Sequence, residues 1–72
     1  MIDKIVKLIG LYYYEACDTS DIETCKHNID KANYLMDVFG EDLDIDEIVM
    51  LQDACMTANQ HYAYLIKFES ED

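Results

Sequence analysis

Apolar residues recur at alternating intervals of three and four positions in three separate runs, and this spacing limits the fold more than any other feature. The interval matches the α-helical repeat, so each run places its apolar side chains along one face of a helix. No segment shows the two-residue alternation that is typical of a half-buried strand. The runs are Ile2, Ile5, Ile9, Tyr12, Ala16; Ile22, Cys25, Ile29, Ala32, Met36, Phe39; and Ile48, Leu51, Cys55, Ala58, Tyr62, Leu65.

Polar residues and a glycine between the runs indicate where the helices begin and end. Ser20 and Glu23 have the S-x-x-E spacing of a capping box, in which both side chains accept hydrogen bonds from free backbone N–H groups. Asp44 and Glu47 have the same spacing before the third run. Gly40 follows the second run, where a left-handed glycine commonly ends a helix. The sequence therefore predicts helices near 2–16, 21–39 and 45–68.

The short connections between these helices predict an all-α fold, a small three-helix up-down-up bundle, because short loops make consecutive helices antiparallel neighbours. The chain of 72 residues has room for one domain, which we assign to residues 1–68. Residues 69–72 form an acidic tail that we expect to be frayed. Gly10, inside the first helix, costs about 1 kcal/mol relative to alanine, and we interpret it as permitting a close helix crossing.

The third helix is apolar around most of its circumference, so it must be covered on more than one side. Beyond its main run it carries Val49, Met50, Met56, Ala63 and Tyr64. One interpretation makes it the central helix, packed by both others. The other interpretation makes Val49, Met50 and Met56 a dimer or partner patch, because exposed methionine-rich surfaces adapt to binding partners.

Acidic residues dominate the charge of the chain and are unevenly distributed. Five lysines and no arginine oppose 16 Asp and Glu residues, which gives a net charge of −11. This exceeds the magnitude of about 2 to 8 that favours the solubility of a small domain. Between residues 32 and 66 the chain has no lysine. The acidic residues that we expect to bind a partner are Glu23, Asp30, Asp37, Glu41, Asp42, Asp44, Asp46 and Glu47.

This charge determines which partners are compatible with the chain. It opposes direct nucleic-acid binding, which needs clustered cations, and docking onto anionic membranes. It favours association with basic proteins, whose most strongly charged surfaces commonly hold nucleic acid. We therefore predict a non-enzymatic, acidic protein-binding module that occupies such a surface as an inhibitor, by analogy with small anti-defence proteins of phages and mobile elements. Tyr13, Tyr14 and Tyr34 are expected to add contact area.

The protein would mimic the electrostatic field of nucleic acid and would not match its individual phosphates. Glu23, Asp30 and Asp37 repeat every seven residues, which is about 10.5 Å along a helix, whereas phosphates on one strand are about 3.4 Å apart. Two alternatives remain at this point. One is a homodimeric structural or adaptor protein that uses the apolar face of the third helix. The other is an acidic antitoxin or immunity protein that neutralises a basic toxin.

Signals for catalysis, metal ions and cofactors are weak. The chain has no recognisable nucleophile–histidine motif and no glycine-rich phosphate loop, so we predict no enzyme and no cofactor. His27 is expected to be exposed, and His61 to be partly buried and hydrogen-bonded. The soft ligands lack zinc-knuckle spacing, which predicts no metal site. A thin similarity to a calcium loop leaves calcium binding open for Asp42, Asp44, Asp46 and Asp53.

Cysteine usage and the apolar segments together predict a location. Three cysteines is an odd number, which is unusual for a small secreted disulfide scaffold. The start of the sequence lacks a basic signal-peptide head, and no window approaches the roughly 18 apolar residues of a spanning helix. We therefore expect a cytoplasmic protein with reduced thiols and no membrane association.

Overall fold

A computed structural model of the protein describes residues 2–70. It contains three α-helices. These are α1 (Ile2–Asp18), α2 (Ile22–Phe39) and α3 (Ile45–Ser70), with a short 3-10 helix, Gly40–Asp42, between α2 and α3. Each α-helix contacts the other two. The all-α three-helix bundle predicted from the apolar spacing is therefore confirmed.

The central helix of the bundle is α1. It packs more extensively against α2 and against α3 than those two pack against each other. The interpretation of the third helix as the central one is therefore wrong. The buried apolar core consists of Val6, Ile9, Tyr13, Ala16, Cys25, Ile29, Ala32, Leu43, Leu51, Ala58 and Leu65.

The start of α2 differs from the predicted capping box. Its N-cap residue is Asp21, whose carboxylate accepts hydrogen bonds from the Thr24 backbone N–H at 3.0 Å and from Thr24 Oγ1 at 2.6 Å. These two bonds, the side-chain one first, hold the pKa of the Asp21 carboxyl below its usual value. Ser20 lies before the cap, so the Ser20–Glu23 box is wrong. A carboxylate at this position also interacts favourably with the positive end of the helix dipole.

The connection from α2 to α3 does not use a left-handed glycine. Gly40 has φ −58° and ψ −34°, which is right-handed helical geometry, and the chain continues through the 3-10 turn. The Leu43 N–H donates to the Gly40 carbonyl at 3.2 Å, and the Leu43 side chain is buried in the core. Burial of Leu43 thus explains a continuous turn where a sharp stop was expected.

The third helix begins as predicted and extends further than predicted. The Asp44 N–H donates to Glu47 Oε1 at 3.0 Å, which is the return bond of a capping box. α3 includes Glu69 and Ser70, so it ends two residues beyond the predicted end at residue 68, and fraying of the tail stays a prediction. Residues 71–72 lie outside the described part. With 26 residues, α3 is about 39 Å long, and the whole bundle measures 44 × 17 × 17 Å.

Gly10 is not required by the crossing of α1 and α3. A Cβ atom added at Gly10 would lie 3.9 Å from Cδ2 of Leu51, which is an ordinary van der Waals distance. The interpretation that this glycine permits a close approach is therefore wrong, because alanine fits the same space.

We predict that Gly40→Ala raises the free energy of unfolding by about 0.4–1 kcal/mol, since its right-handed backbone suits alanine and the unfolded chain loses entropy. No atom lies within 4 Å of the added methyl group. Urea unfolding of Gly40→Ala, beside Gly10→Ala as a mid-helix control, measures the effect. A loss of stability in Gly40→Ala alone would indicate a left-handed glycine and contradict the observed connection.

Candidate partner-binding surface

We use the name acidic surface for the eight acidic residues predicted to bind a partner. Its residues are Glu23, Asp30 and Asp37 on α2, Glu41 and Asp42 in the 3-10 helix, and Asp44, Asp46 and Glu47 at the start of α3. Seven are exposed, and Glu47 is half-buried. Within residues 2–70, Glu47 is the only one of the eight whose side chain makes a hydrogen bond. The other seven carboxylates therefore face solvent without an internal hydrogen-bonding partner.

An exposed tyrosine lies within the α2 part of the acidic surface. Tyr34 is 67% exposed. It follows Asp30 by four residues and precedes Asp37 by three, so all three side chains share one side of the helix. This side of α2 therefore combines negative charge with an aromatic ring. Tyr14 is equally exposed, at 69%, but belongs to α1.

A largely apolar cleft of about 390 Å³ lies between α1 and α2, next to Asp30. Two of the sequence-predicted residues, Asp30 and Tyr34, help to form it. The Nζ atom of Lys31 lies 5.6 Å from the centroid of the Tyr12 ring, a cation–π distance. The cleft is lined by Leu8, Tyr12, His27, Asp30, Lys31, Tyr34 and Leu35. Its walls are thus suited to an apolar stem, and its edge carries a carboxylate.

Tyr13 is not part of a binding surface, and this prediction is wrong. Its side chain is 1% exposed, and its hydroxyl donates to Asn33 Oδ1 on α2. The Cys55 thiol donates to the same oxygen at 3.5 Å. Burial, with a smaller contribution from Cys55, raises the pKa of the Tyr13 phenol. The spacing of Val6, Ile9 and Tyr13 is also helical, so the sequence did contain the signal for this buried position.

The predicted patch on α3 is exposed. Val49, Met50 and Met56 are each more than half exposed. The sequence analysis missed further exposed apolar side chains on the same helix, namely Ile45, Ile66 and Phe68. Ile45 and Phe68 belong to the first and last turns of α3, where the periodic run of the third helix had ended. Tyr64 stacks between His61 and Phe68, with ring centroids 6.4 and 6.3 Å apart.

The two histidines have the predicted environments. His27 is exposed. His61 is part-buried, and its Nε2 atom lies 2.6 Å from the Thr19 carbonyl oxygen. Because a carbonyl can only accept, Nε2 carries the proton that it donates. This bond ties α3 to the loop between α1 and α2, which is a structural role.

Within residues 2–70, the cysteines and carboxylates do not form a cluster that could hold a metal ion. Cys17, Cys25 and Cys55 are free thiols, and burial raises the pKa of Cys17 and of Cys25. In the part of the chain that the structure describes, no three His, Cys, Asp or Glu side chains come together as a possible metal site. The four aspartates of the calcium alternative are included in this statement. Also among residues 2–70, no helix combines the length and the apolarity needed to cross a bilayer.

We predict that Tyr13→Phe lowers the free energy of unfolding by about 1 kcal/mol, because a buried hydroxyl loses its bond to Asn33. Tyr14→Phe is the matched control and should change the free energy of unfolding by less than about 0.5 kcal/mol. Denaturant unfolding of both variants measures the difference. Equal effects would contradict the placement of Tyr13 in the core.

Comparisons of the chain with protein-family models, with curated proteins and with solved structures give no match. The surfaces described above are therefore the basis for a functional proposal.

Proposed function

We propose that this chain is a non-enzymatic binding protein whose acidic surface engages the basic, nucleic-acid-binding surface of a partner protein and so excludes the nucleic acid. The observation that carries the proposal is the set of seven exposed carboxylates without internal hydrogen-bonding partners. Carboxylates that serve only the fold are commonly caps, as Asp21 is. The seven remain available to cations on another molecule.

The shape of the bundle supports this proposal. A rod of 44 × 17 × 17 Å is narrow enough to lie along an elongated groove. Glu23, Asp30 and Asp37 cover about 21 Å of one side of α2, at a rise of 1.5 Å per residue. A row of like charges on a low-dielectric body attracts a basic groove and accelerates association. The protein would thus resemble nucleic acid in its electrostatic field and coarse shape.

The cleft beside Asp30 is suited to one long cationic side chain of the partner. Arginine and lysine combine an apolar stem with a charged head, and the cleft combines apolar walls with the Asp30 carboxylate. The exposed Tyr34 ring offers a face on which a guanidinium can stack. Arginine fits this combination better than lysine, because its planar head can stack and pair at once. We therefore propose that an arginine of the partner anchors the complex here.

We predict that reversing Glu23, Asp30 and Asp37 to Lys abolishes binding to a basic probe, an octa-arginine peptide, at about 0.1 M salt. The matched control reverses the exposed Asp3, Asp18 and Asp53. Each change of an acidic residue to Lys adds two positive charges, so three reversals change the net charge from −11 to −5 in both variants. Fluorescence anisotropy of the labelled peptide measures affinity, and circular dichroism confirms that both variants remain helical.

The control variant should retain most of the wild-type affinity, because it leaves the acidic surface intact. An equal loss in the two variants would mean that total charge alone attracts the peptide, which contradicts a localised site. Wild-type binding should also weaken steeply as salt is added, since the contacts are exposed ion pairs.

We predict opposite effects for two adjacent residues at the cleft. Asp30→Asn should weaken octa-arginine binding by about two- to fivefold, the range of an exposed ion pair. Lys31→Gln should strengthen it by a similar factor, because it removes the cation that lies over Tyr12. Both changes remove one charge, and anisotropy titrations compare them. If neither change alters the affinity, the cleft is not the anchor point.

A further inference from the structure

A second surface, on the side of α3 that faces away from the core, carries a row of exposed apolar side chains with Gln52, Asp53 and Gln60 between them. We call it the outer strip, and its residues are Ile45, Val49, Met56 and Ala63, flanked by Met50 and Tyr64. They succeed one another at helical intervals, opposite the buried Leu51, Ala58 and Leu65. All six side chains are exposed. Seven of the twelve large apolar side chains exposed in residues 2–70 belong to α3.

Charged residues are missing from the middle of this helix. From Ala54 to Ile66 the sequence has no Asp, Glu, Lys or Arg, although 29% of the whole chain is charged. The centres of protein–protein interfaces are depleted of charge in the same way. Thirteen successive residues without charge, in a chain this acidic, are typical of a helix whose exposed side another molecule covers.

We propose that a second copy of this chain covers the outer strip, with the two α3 helices packed antiparallel around a two-fold axis near Met56. The charges at the two ends of the strip identify this occupant. Lys67 is the only lysine of α3, and Asp46 lies at the other end; both are exposed. Their midpoint lies between residues 56 and 57. A two-fold axis there places Lys67 of each copy opposite Asp46 of the other.

Other arrangements and occupants fit less well. A parallel pair of α3 helices would place Asp46 against Asp46 and Lys67 against Lys67, which is repulsive. The basic partner proposed above would find no carboxylate between residues 54 and 66 with which to pair. In the antiparallel arrangement, Val49 and Met50 of one copy meet Ala63 and Tyr64 of the other. Small Ala63 allows close approach, and methionine sulfur contacts aromatic rings favourably.

Sedimentation velocity over a range of concentrations tests the proposal on the intact chain. The wild type should dimerise, and Met56→Lys should weaken the dimer by about thirtyfold or more, because it places a charge at the centre of the interface. Val38→Lys is the matched control on α2, since Val38 is 49% exposed and Met56 is 58% exposed. It should leave the dimer intact. A wild type that stays monomeric at every concentration would overturn the proposal, as would a dimer unaffected by Met56→Lys.

A charge exchange tests the register of the dimer. Lys67→Glu should weaken it roughly tenfold by turning two exposed attractions into repulsions, and adding Asp46→Lys should restore it. Absence of restoration would contradict the antiparallel register. Circular dichroism of the double variant shows whether the altered first turn of α3 still folds. A double variant that folds normally and does not dimerise therefore counts against the proposal.

The response to added salt distinguishes the dimer proposal from the proposed function. Two copies that each carry −11 repel one another, so added salt should strengthen the dimer. Binding of octa-arginine to the acidic surface should instead weaken. Met56→Lys leaves the acidic surface unchanged, so either proposal can fail while the other survives.

Discussion

Burial of α1 between the other two helices is the interaction on which the rest of the structure depends. Ile9, Tyr13 and Ala16 of α1 are almost completely buried, and α2 and α3 contact α1 more than they contact each other. Because each outer helix needs to present only one face to the core, its opposite face remains exposed. The acidic surface and the outer strip of α3 are both consequences of this arrangement.

Much of the fold could be predicted from the sequence, because helical spacing of apolar residues is a local signal. The predicted bundle and the general course of its helices are confirmed, whereas the caps depend on contacts made elsewhere. The N-cap of α2 is Asp21 and not Ser20. Because Leu43 is buried, the chain passes Gly40 in right-handed helical geometry and makes no left-handed turn. Tyr13 was misplaced because two overlapping periodic runs share Ile9, and only packing decides between them.

For the candidate surfaces too, features set by local sequence could be predicted, whereas features that depend on contacts between helices could not. Exposure of Asp30 and Tyr34 could be predicted, because both lie opposite the apolar face of α2. The cleft beside them could not, because it requires Leu8 and Tyr12 of α1 to approach α2. The two surfaces also differ in chemistry. One is acidic and suited to cations, whereas the other has an uncharged centre suited to apolar contact, and the two share only Asp46. A single small bundle can therefore support two interactions.

The central claim is that the position of the carboxylates, and not their number, determines binding. A titration of isotope-labelled protein with octa-arginine, followed by backbone amide chemical shifts, tests it residue by residue. The account predicts that the largest shifts lie along α2 from Glu23 to Asp37 and in the following residues 41–47, with little change at Met56 and Ala63. Shifts spread evenly over all three helices would contradict it.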